Sequence, residues 1–322
     1  MKVVQADCGW QSTDVERRFL PPGTEVAGFQ CSTEAESAAA CRDADAVLAE
    51  YAPLTREVLR QLERCRIISI SGIGVDNVDL AAATELGIVV TNVPGYCSHE
   101  VADHTLALLL AAARNIITCH RRVGQGDWDI GGLPPMFRLQ GQVLGLAGFG
   151  RIAQEVAVRA AAFGLAVLAY DPYVDPACAQ RHGVRVVGIE QLLEESDWIS
   201  CHLPANGETF GFFDREKFAR MRKHPVFINT SRGKVVVQRH LVQALKEGWI
   251  RGACLDVLEQ EPPSFEDELF RLDNVIITPH VGFLSETAVE EVRRRAALNV
   301  THFFQGCLPP ENIINKEIVK KP

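Results

Sequence analysis

Residues 143–171 read VLGLAGFGRIAQEVAVRAAAFGLAVLAYD, and the order of features in this stretch leaves few folds open. Val143–Ala147 is a short apolar run of the kind a buried parallel strand requires. Gly148, Gly150 and Ala153 then fill the three small-residue positions of a G-x-G-x-x-G/A turn. Gly148 permits the tight turn, Gly150 lets a ligand approach the backbone, and Ala153 lets the following helix lie close to the sheet. In that helix Ile152, Val156, Ala160 and Phe163 recur at steps of four, four and three, one apolar stripe that Gly164 ends. A second strand over 165–170 closes on Asp171, 18 residues past Ala153. The unit is a βαβ fold element whose helix N-terminus, with free N–H groups and the charge of Arg151 beside Ile152, favours an anion. A carboxylate at Asp171 accepts hydrogen bonds from ribose hydroxyls and repels a 2'-phosphate, so the expected ligand is NAD rather than NADP.

Composition removes other classes of partner. The formal charge is -8, with no basic block that would hold a nucleic acid, and residues 293–295, three arginines beside Glu290 and Glu291, read as a solvated helix face. The longest apolar stretch, 106–113, is far short of the roughly 20 residues that span a bilayer. Ten scattered cysteines without a C-x-x-C pair, and no signal-like segment after Met1, lead us to expect a cytoplasmic protein with reduced thiols and no metal.

At 322 residues the chain has room for two domains. Strands are expected over 2–6, 24–29, 46–51, 66–71 and 88–93, with helices over 34–42, 55–64 and 79–86, the second of these capped by Thr55. Between them, SGIGVDNVD over 71–79 is a glycine-rich loop at a strand's C-terminal end, where the amides of Ile73 and Gly74 suit a small anion. Its alternative reading is a plain connecting turn. Ser98 then caps a long apolar helix that serves either as a connector or as a dimer interface. Residues 124–138, with Trp128, Met136 and Phe137, form either an arm on a second subunit or an internal loop.

After the central unit, strands are expected over 184–187, 198–203, 226–229, 252–257 and 275–278, and helices over 189–195 and 238–247. A long helix over 287–305 and a polar tail over 307–322 follow. The fold class is therefore α/β, two doubly wound parallel-sheet domains: a Rossmann-type nucleotide domain over 99–285 inserted in a flavodoxin-like substrate domain over 1–98 and 286–322. The ligand cleft is expected between them.

Three strand ends of the inserted domain carry a reactive side chain each: Arg232 in NTSRG, Glu261 in LDVLEQEP and His280 in TPHVG. Arg232 offers a planar fork to a carboxylate, the His280 imidazole can exchange a proton with a carbonyl or hydroxyl oxygen, and Glu261 can fix its tautomer. Singly, each has a bland reading: a surface ion pair, a solvated loop acid, a strand cap. Together on the edge where a dinucleotide lies, they suggest catalysis. His202 and His104 read as residues that shape or approach that cleft. Tyr51, Met136, Phe137, Phe283 and Leu284 are candidates for a substrate pocket.

Over nearly its whole length the chain resembles the D-isomer-specific 2-hydroxyacid dehydrogenases, through GIGVDNVDL, NVPG, GFGRIA, YDP, HLP, NTSRG, LDVLEQEP and TPHVG. YDPY, HVGFLSE and HEVADHT are most similar to the branch containing the C-terminal-binding proteins, whose members include NAD(H)-sensing corepressors. The resemblance implies Arg232, Glu261 and His280 as catalytic residues and Ile73 and Gly74 as backbone contacts for the substrate, where Arg232 and His280 also act and Tyr51 is the candidate pocket residue beside them. It places Arg151, Ile152, Asp171, Leu203, Thr209, Thr230, Ser231, Asp256 and the turn through Gly282 and Phe283 around NAD, where they join Gly148, Gly150, His202, Pro204 and His104 as expected cofactor contacts. The expected protein is a homodimer, joined through the NAD domain, that interconverts a 2-keto and a 2-hydroxy acid. The rival reading is an NAD(H)-responsive scaffold with little turnover.

Overall fold

The structure is a computed structural model that describes residues 1–7, 9 and 12–320. Contacts divide the chain into two compact units, Met1–Tyr96 with Ser285–Pro322, and Cys97–Leu284.

The first unit opens with β1 (Lys2–Gln5), α1 (Asp14–Phe19), β2 (Glu25–Gly28), α2 (Glu34–Cys41), β3 (Ala46–Ala49), α3 (Arg56–Leu59), β4 (Ile67–Ile70), α4 (Leu80–Glu85) and β5 (Val89–Thr91). The strands are all parallel in the order β2-β1-β3-β4-β5. Strands β3, β4 and β5 are buried along their whole length, which is why they read as continuous apolar runs. Thr33 and Glu36 form a reciprocal capping box on α2. Thr55 does not cap α3: its hydroxyl is buried without a partner, and the helix lasts a single turn rather than ten residues.

The second unit contains α5 (Ser98–Ala113), α6 (Ile116–Gly124), β6 (Val143–Ala147), α7 (Arg151–Ala162), β7 (Ala166–Tyr170), α8 (Pro176–Arg181) and β8 (Arg185–Val186). It continues through α9 (Ile189–Glu195), β9 (Trp198–Cys201), α10 (Arg215–Ala219), β10 (Val226–Asn229), α11 (Gln238–Lys246), β11 (Gly252–Leu255) and β12 (Val275–Ile277). Its seven parallel strands run β12-β11-β10-β9-β6-β7-β8, so the winding reverses between β6 and β9. One face is covered by α5 and α7, where Leu106, Leu109, Val156 and Ala160 pack on Leu144, Leu146 and Ile228. The other holds Phe213, Phe218, Phe227, Leu241 and Leu245.

Two details of these helices correct the sequence reading. Cys97, not Ser98, precedes α5, and the buried Ser98 hydroxyl caps nothing. On α7 the buried stripe is Ala153, Val156, Ala157 and Ala160, while Phe163 is 43% exposed. Close approach of α7 to the sheet requires small side chains on the inner face, so the phenyl ring falls outside it.

Helix α12 (Glu286–Phe304) returns to the first unit, where Val292, Ala296, Ala297 and Val300 cover Val3, Leu48, Ile67 and Val89. Arg293 is not solvated. At 8% exposure it donates to both oxygens of buried Glu16 on α1, at 2.6 and 2.7 Å, and to the Ser12 carbonyl at 2.6 Å. The tail is not merely polar either. Ile313 pairs with Thr91, and Asn315 accepts from Val90 N at 2.9 Å and donates to the Ile88 carbonyl at 2.9 Å, closing the open edge of β5. Residues 321–322 of that tail lie outside the described residues. Among the described residues no helix is long and apolar enough to cross a membrane.

Candidate active site

Strands β10, β11 and β12 lie side by side, and the loops at their C-terminal ends carry Arg232, Glu261 and His280. Asn229, the last residue of β10, shapes the first loop: its Oδ1 accepts from Ser231 N at 3.0 Å and Ser231 Oγ at 2.9 Å, and its Nδ2 donates to the Arg232 carbonyl at 3.0 Å. This short-range wrapping is what an asparagine after a strand favours, and the sequence reading passed over it. The Arg232 guanidinium donates to the Ser231 carbonyl at 2.8 Å.

His280 Nδ1 lies 2.7 Å from Glu261 Oε2, and the other oxygen, Oε1, accepts from Leu258 N at 2.8 Å. Burial pushes the Glu261 carboxyl up, but the His280 hydrogen bond and charge, the Leu258 amide and the Arg232 charge outweigh it and hold it below the usual carboxylate range. An ionised carboxylate only accepts, so Nδ1 carries the proton and Nε2 is the nitrogen left for other chemistry. The His280 backbone has φ of 53°, a left-handed value that non-glycine residues seldom adopt. Its amide is held by the carbonyls of Asp256 at 2.8 Å and Thr278 at 3.0 Å.

Beneath this histidine sits a carboxylate that organises the turn. Asp256, 3% exposed after β11, accepts from Thr278 Oγ1 at 2.5 Å, Val281 N at 3.0 Å and Gly282 N at 2.8 Å. Burial pushes its carboxyl up, and hydrogen bonds from His104, Thr278, Gly282 and Val281 hold it below its ordinary range. Since Thr278 donates to Asp256, it accepts from His104 Nε2, 2.9 Å away, which fixes the His104 tautomer. A Cβ on Gly282 would stand 2.8 Å from the Asp256 carboxylate, so the turn needs glycine there. Phe283 meets His280 edge to face at 6.3 Å, and Leu284 is exposed.

At the winding reversal, Gly148 has φ of +93° and packs so closely that a Cβ would lie 2.7 Å from the His202 carbonyl. Gly150 has only open space where a Cβ would stand, leaving the backbone at the α7 N-terminus accessible beside Arg151 and Ile152. Asp171 braces this turn, accepting from Phe149 N at 2.9 Å and Tyr173 N at 2.8 Å. Past β9, His202 bonds Ser200 Oγ at 2.9 Å, and burial pushes its imidazole down to about 4, so it is neutral at pH 7. Leu203 is buried, and Thr209 Oγ1 ties its own loop by donating to the Pro204 carbonyl and accepting from Asn206 N. Thr230 shares a 2.8 Å hydroxyl contact with Thr105 of α5.

Phe137 does not join these groups. It stacks on Arg251, 5.2 Å from ring centroid to guanidinium, and Arg251 also covers Trp198. Arg251 and Trp198 mark the N-terminal ends of β11 and β9, the opposite sheet edge from His280. Ile73, Gly74 and Tyr51 belong to the first unit, in the loops after β4 and β3.

A glycine turn at the reversal of a seven-stranded parallel sheet, with an acid–imidazole pair and an arginine on the same edge, defines a dinucleotide-dependent oxidoreductase. Residues 106–282 match the NAD binding domain of the D-isomer specific 2-hydroxyacid dehydrogenases. A glyoxylate reductase of Korarchaeum cryptofilum is 41% identical over 283 residues, covering 87% of this chain and 85% of that one. A D-3-phosphoglycerate dehydrogenase of Methanocaldococcus jannaschii is 40% identical over 276 residues, covering 85% of this chain and 52% of its own length. The D-lactate dehydrogenase of Aquifex aeolicus, solved with NAD and lactic acid, superposes with a TM-score of 0.86 at 28% identity, covering 98% of this chain and 99% of that one. The chain belongs to the D-isomer specific 2-hydroxyacid dehydrogenase family and is an NAD-dependent 2-hydroxyacid oxidoreductase.

Proposed function

We propose that the protein reduces a small 2-keto acid to its D-2-hydroxy acid, and runs the reverse, with His280 and Glu261 handling the proton and Arg232 holding the carboxylate. The observation that carries this reading is the 2.7 Å His280–Glu261 bond on the sheet edge that also bears Arg232. The glyoxylate reductases among its relatives favour glyoxylate as the first substrate to try. NAD, when bound, supplies or takes the hydride.

The open backbone at Gly150 fits a pyrophosphate, received by residues 148–152 and the α7 N-terminus, and Asp171 takes the adenosine ribose. Residues 202–204, Thr209, Thr230, Ser231, Asp256, His104, Gly282 and Phe283 line the remainder. The amides of Ile73 and Gly74, together with Tyr51, serve the substrate. In reduction, protonated His280 gives its Nε2 proton to the carbonyl oxygen as that oxygen gains negative charge. Glu261 keeps Nδ1 protonated and steadies the imidazolium that precedes the transfer. Arg232 pairs its fork with the substrate carboxylate and orients the carbonyl carbon.

The domain roles follow the same reading: residues 97–284 hold NAD, and the first unit supplies substrate contacts. A homodimer formed through the NAD unit would cover the apolar surface of α6 and the segment after it, where Trp128 is 88% and Ile130 85% exposed.

The test is NADH consumption against glyoxylate, pyruvate, phenylpyruvate and phosphohydroxypyruvate, with NADPH in parallel. His280→Ala lowers kcat by about 10²–10⁴ and spares NADH binding. Turnover within a few fold of wild type refutes the acid–base assignment. NADH binding with silence across the panel replaces the dehydrogenase reading with a nucleotide-responsive scaffold.

A further inference from the structure

The first sheet runs β2-β1-β3-β4-β5, so its winding reverses between β1 and β3, the place where open α/β sheets bind ligands. One half-buried side chain controls that point. Asp7, two residues past β1, accepts from three consecutive amides of the loop after β3: Glu50 N at 2.7 Å on Oδ1, and Tyr51 N and, at 2.8 Å, Ala52 N on Oδ2. Three N–H groups converging on one carboxylate form an anion nest within the protein, and they offset part of the cost of burying its charge.

The same loop is tied at its far side, where Asn77 Nδ2 donates to the Ala52 carbonyl at 2.9 Å and Leu54 N to the Asn77 carbonyl at 2.8 Å. The glycine loop is held in turn by Asn92 Nδ2, which donates to the Ile73 carbonyl at 2.7 Å. Residues 50–54 and the glycine loop over 71–79 therefore form one hydrogen-bonded surface at the C-terminal edge of β3 and β4. Within it Ala52 and Leu54 are buried, whereas Tyr51 between Asp7's other two contacts is 57% exposed. The three bonds from Asp7 fix the backbone from which the Tyr51 side chain departs.

We propose that Asp7 is a positioning residue for substrate recognition: it holds the backbone of residues 50–52 so that Tyr51 is presented to the substrate beside the Ile73–Gly74 amides. This rests on the reading above that the first unit supplies the substrate contacts. Asp7 itself touches no substrate. A carboxamide at position 7 has one acceptor oxygen and turns an NH2 toward N–H donors, so Asp7→Asn leaves at least one of the three amides without an acceptor and lets the loop shift.

The experiment is steady-state kinetics of wild type, Asp7→Asn and Tyr51→Ala with glyoxylate and phenylpyruvate, alongside NADH affinity by fluorescence. Asp7→Asn raises KM roughly tenfold or more through misplacement of the binding loop, leaves kcat within about threefold, and leaves NADH affinity unchanged. Tyr51→Ala reproduces that KM-selective loss. A simple folding defect would instead scale down kcat with the fraction of active protein and leave KM alone. Unchanged KM in folded Asp7→Asn overturns the assignment, and should that variant fail to fold, unchanged KM in Tyr51→Ala overturns it. Wild-type protein that turns over no 2-keto acid overturns the functional reading, and this assignment with it.

Discussion

Gly233 follows Arg232 directly, and its backbone lies against the segment that leads to Glu261. A Cβ at position 233 would stand 1.8 Å from the Leu258 carbonyl oxygen, 2.0 Å from its carbon and 2.6 Å from Glu259 N, all backbone atoms with no rotamer to yield. If 3.0 Å is the closest approach tolerated, Gly233→Ala must separate the two loops by about 1.2 Å. Leu258 N clamps Glu261 at 2.8 Å and Glu261 holds His280 at 2.7 Å, so the shift reaches the acid–base pair as well as Arg232. Fully transmitted, it stretches the His280–Glu261 contact past the roughly 3.2 Å limit of a useful hydrogen bond. A misplacement of about 1 Å costs on the order of 10²-fold in rate, or about 2.7 kcal/mol of barrier. The expected outcome is a hundredfold loss of kcat/KM with glyoxylate, with NADH affinity far less affected because residues 148–152 and Asp171 are untouched. Overpacking also destabilises by about 1–3 kcal/mol, so a thermal melt must accompany the assay to confirm folded protein. Activity within threefold of wild type, in protein with a normal melt, refutes the claim that close approach of these two loops sets the reactive geometry.

Three other perturbations probe different parts of the molecule. Gly150 has an ordinary φ of -74° and empty space at its Cβ position, so Gly150→Ala leaves the melting temperature nearly unchanged while crowding the pyrophosphate; isothermal titration should give at least a tenfold weaker NADH Kd, and an unchanged Kd would remove the phosphate from that turn. Arg293→Met strands the Glu16 carboxylate and costs about 3–5 kcal/mol in urea unfolding, whereas the double change with Glu16→Leu recovers most of it; additive losses would show that the pair is not coupled. The depressed carboxyl of Asp256 contributes stability that is complete above its unfolded value of about 3.9 and is lost as pH falls through its lower folded value. Melting temperature recorded down the acid limb should therefore fall less steeply in Asp256→Asn than in wild type, and parallel limbs would sink that account.

Much of this architecture was legible because parallel strands buried on both faces leave unbroken apolar runs, as β3, β4 and β9 do. Arg232, Glu261 and His280 stood out because each follows such a run. What escaped notice depends on partners far along the chain. Nothing local distinguishes Arg293 from its neighbours Arg294 and Arg295; its burial follows from Glu16, 277 residues away. Asp7 is equally silent until β1 and β3 are paired and its three amides come within reach. Phe137 has the type that suits a pocket, an aromatic, whereas a stack on Arg251 decides its place. Periodicity puts Phe163 in the apolar stripe, but the close approach of α7 to the sheet, which periodicity does not encode, buries Ala153 and Ala157 instead.

The return of α12 to the first unit has a consequence for how the chain acquires its structure during synthesis. The sheet face bearing Val3, Leu48, Ile67 and Val89 is completed by a different part of the chain, after an insertion of about 190 residues has been made. At roughly 5–20 residues per second that face waits on the order of 10–40 s for its cover. The inserted unit is continuous in sequence and waits for nothing downstream of Leu284. The segment made first is thus finished last, and the period in which its apolar face stands uncovered is when the nascent chain most needs protection from aggregation.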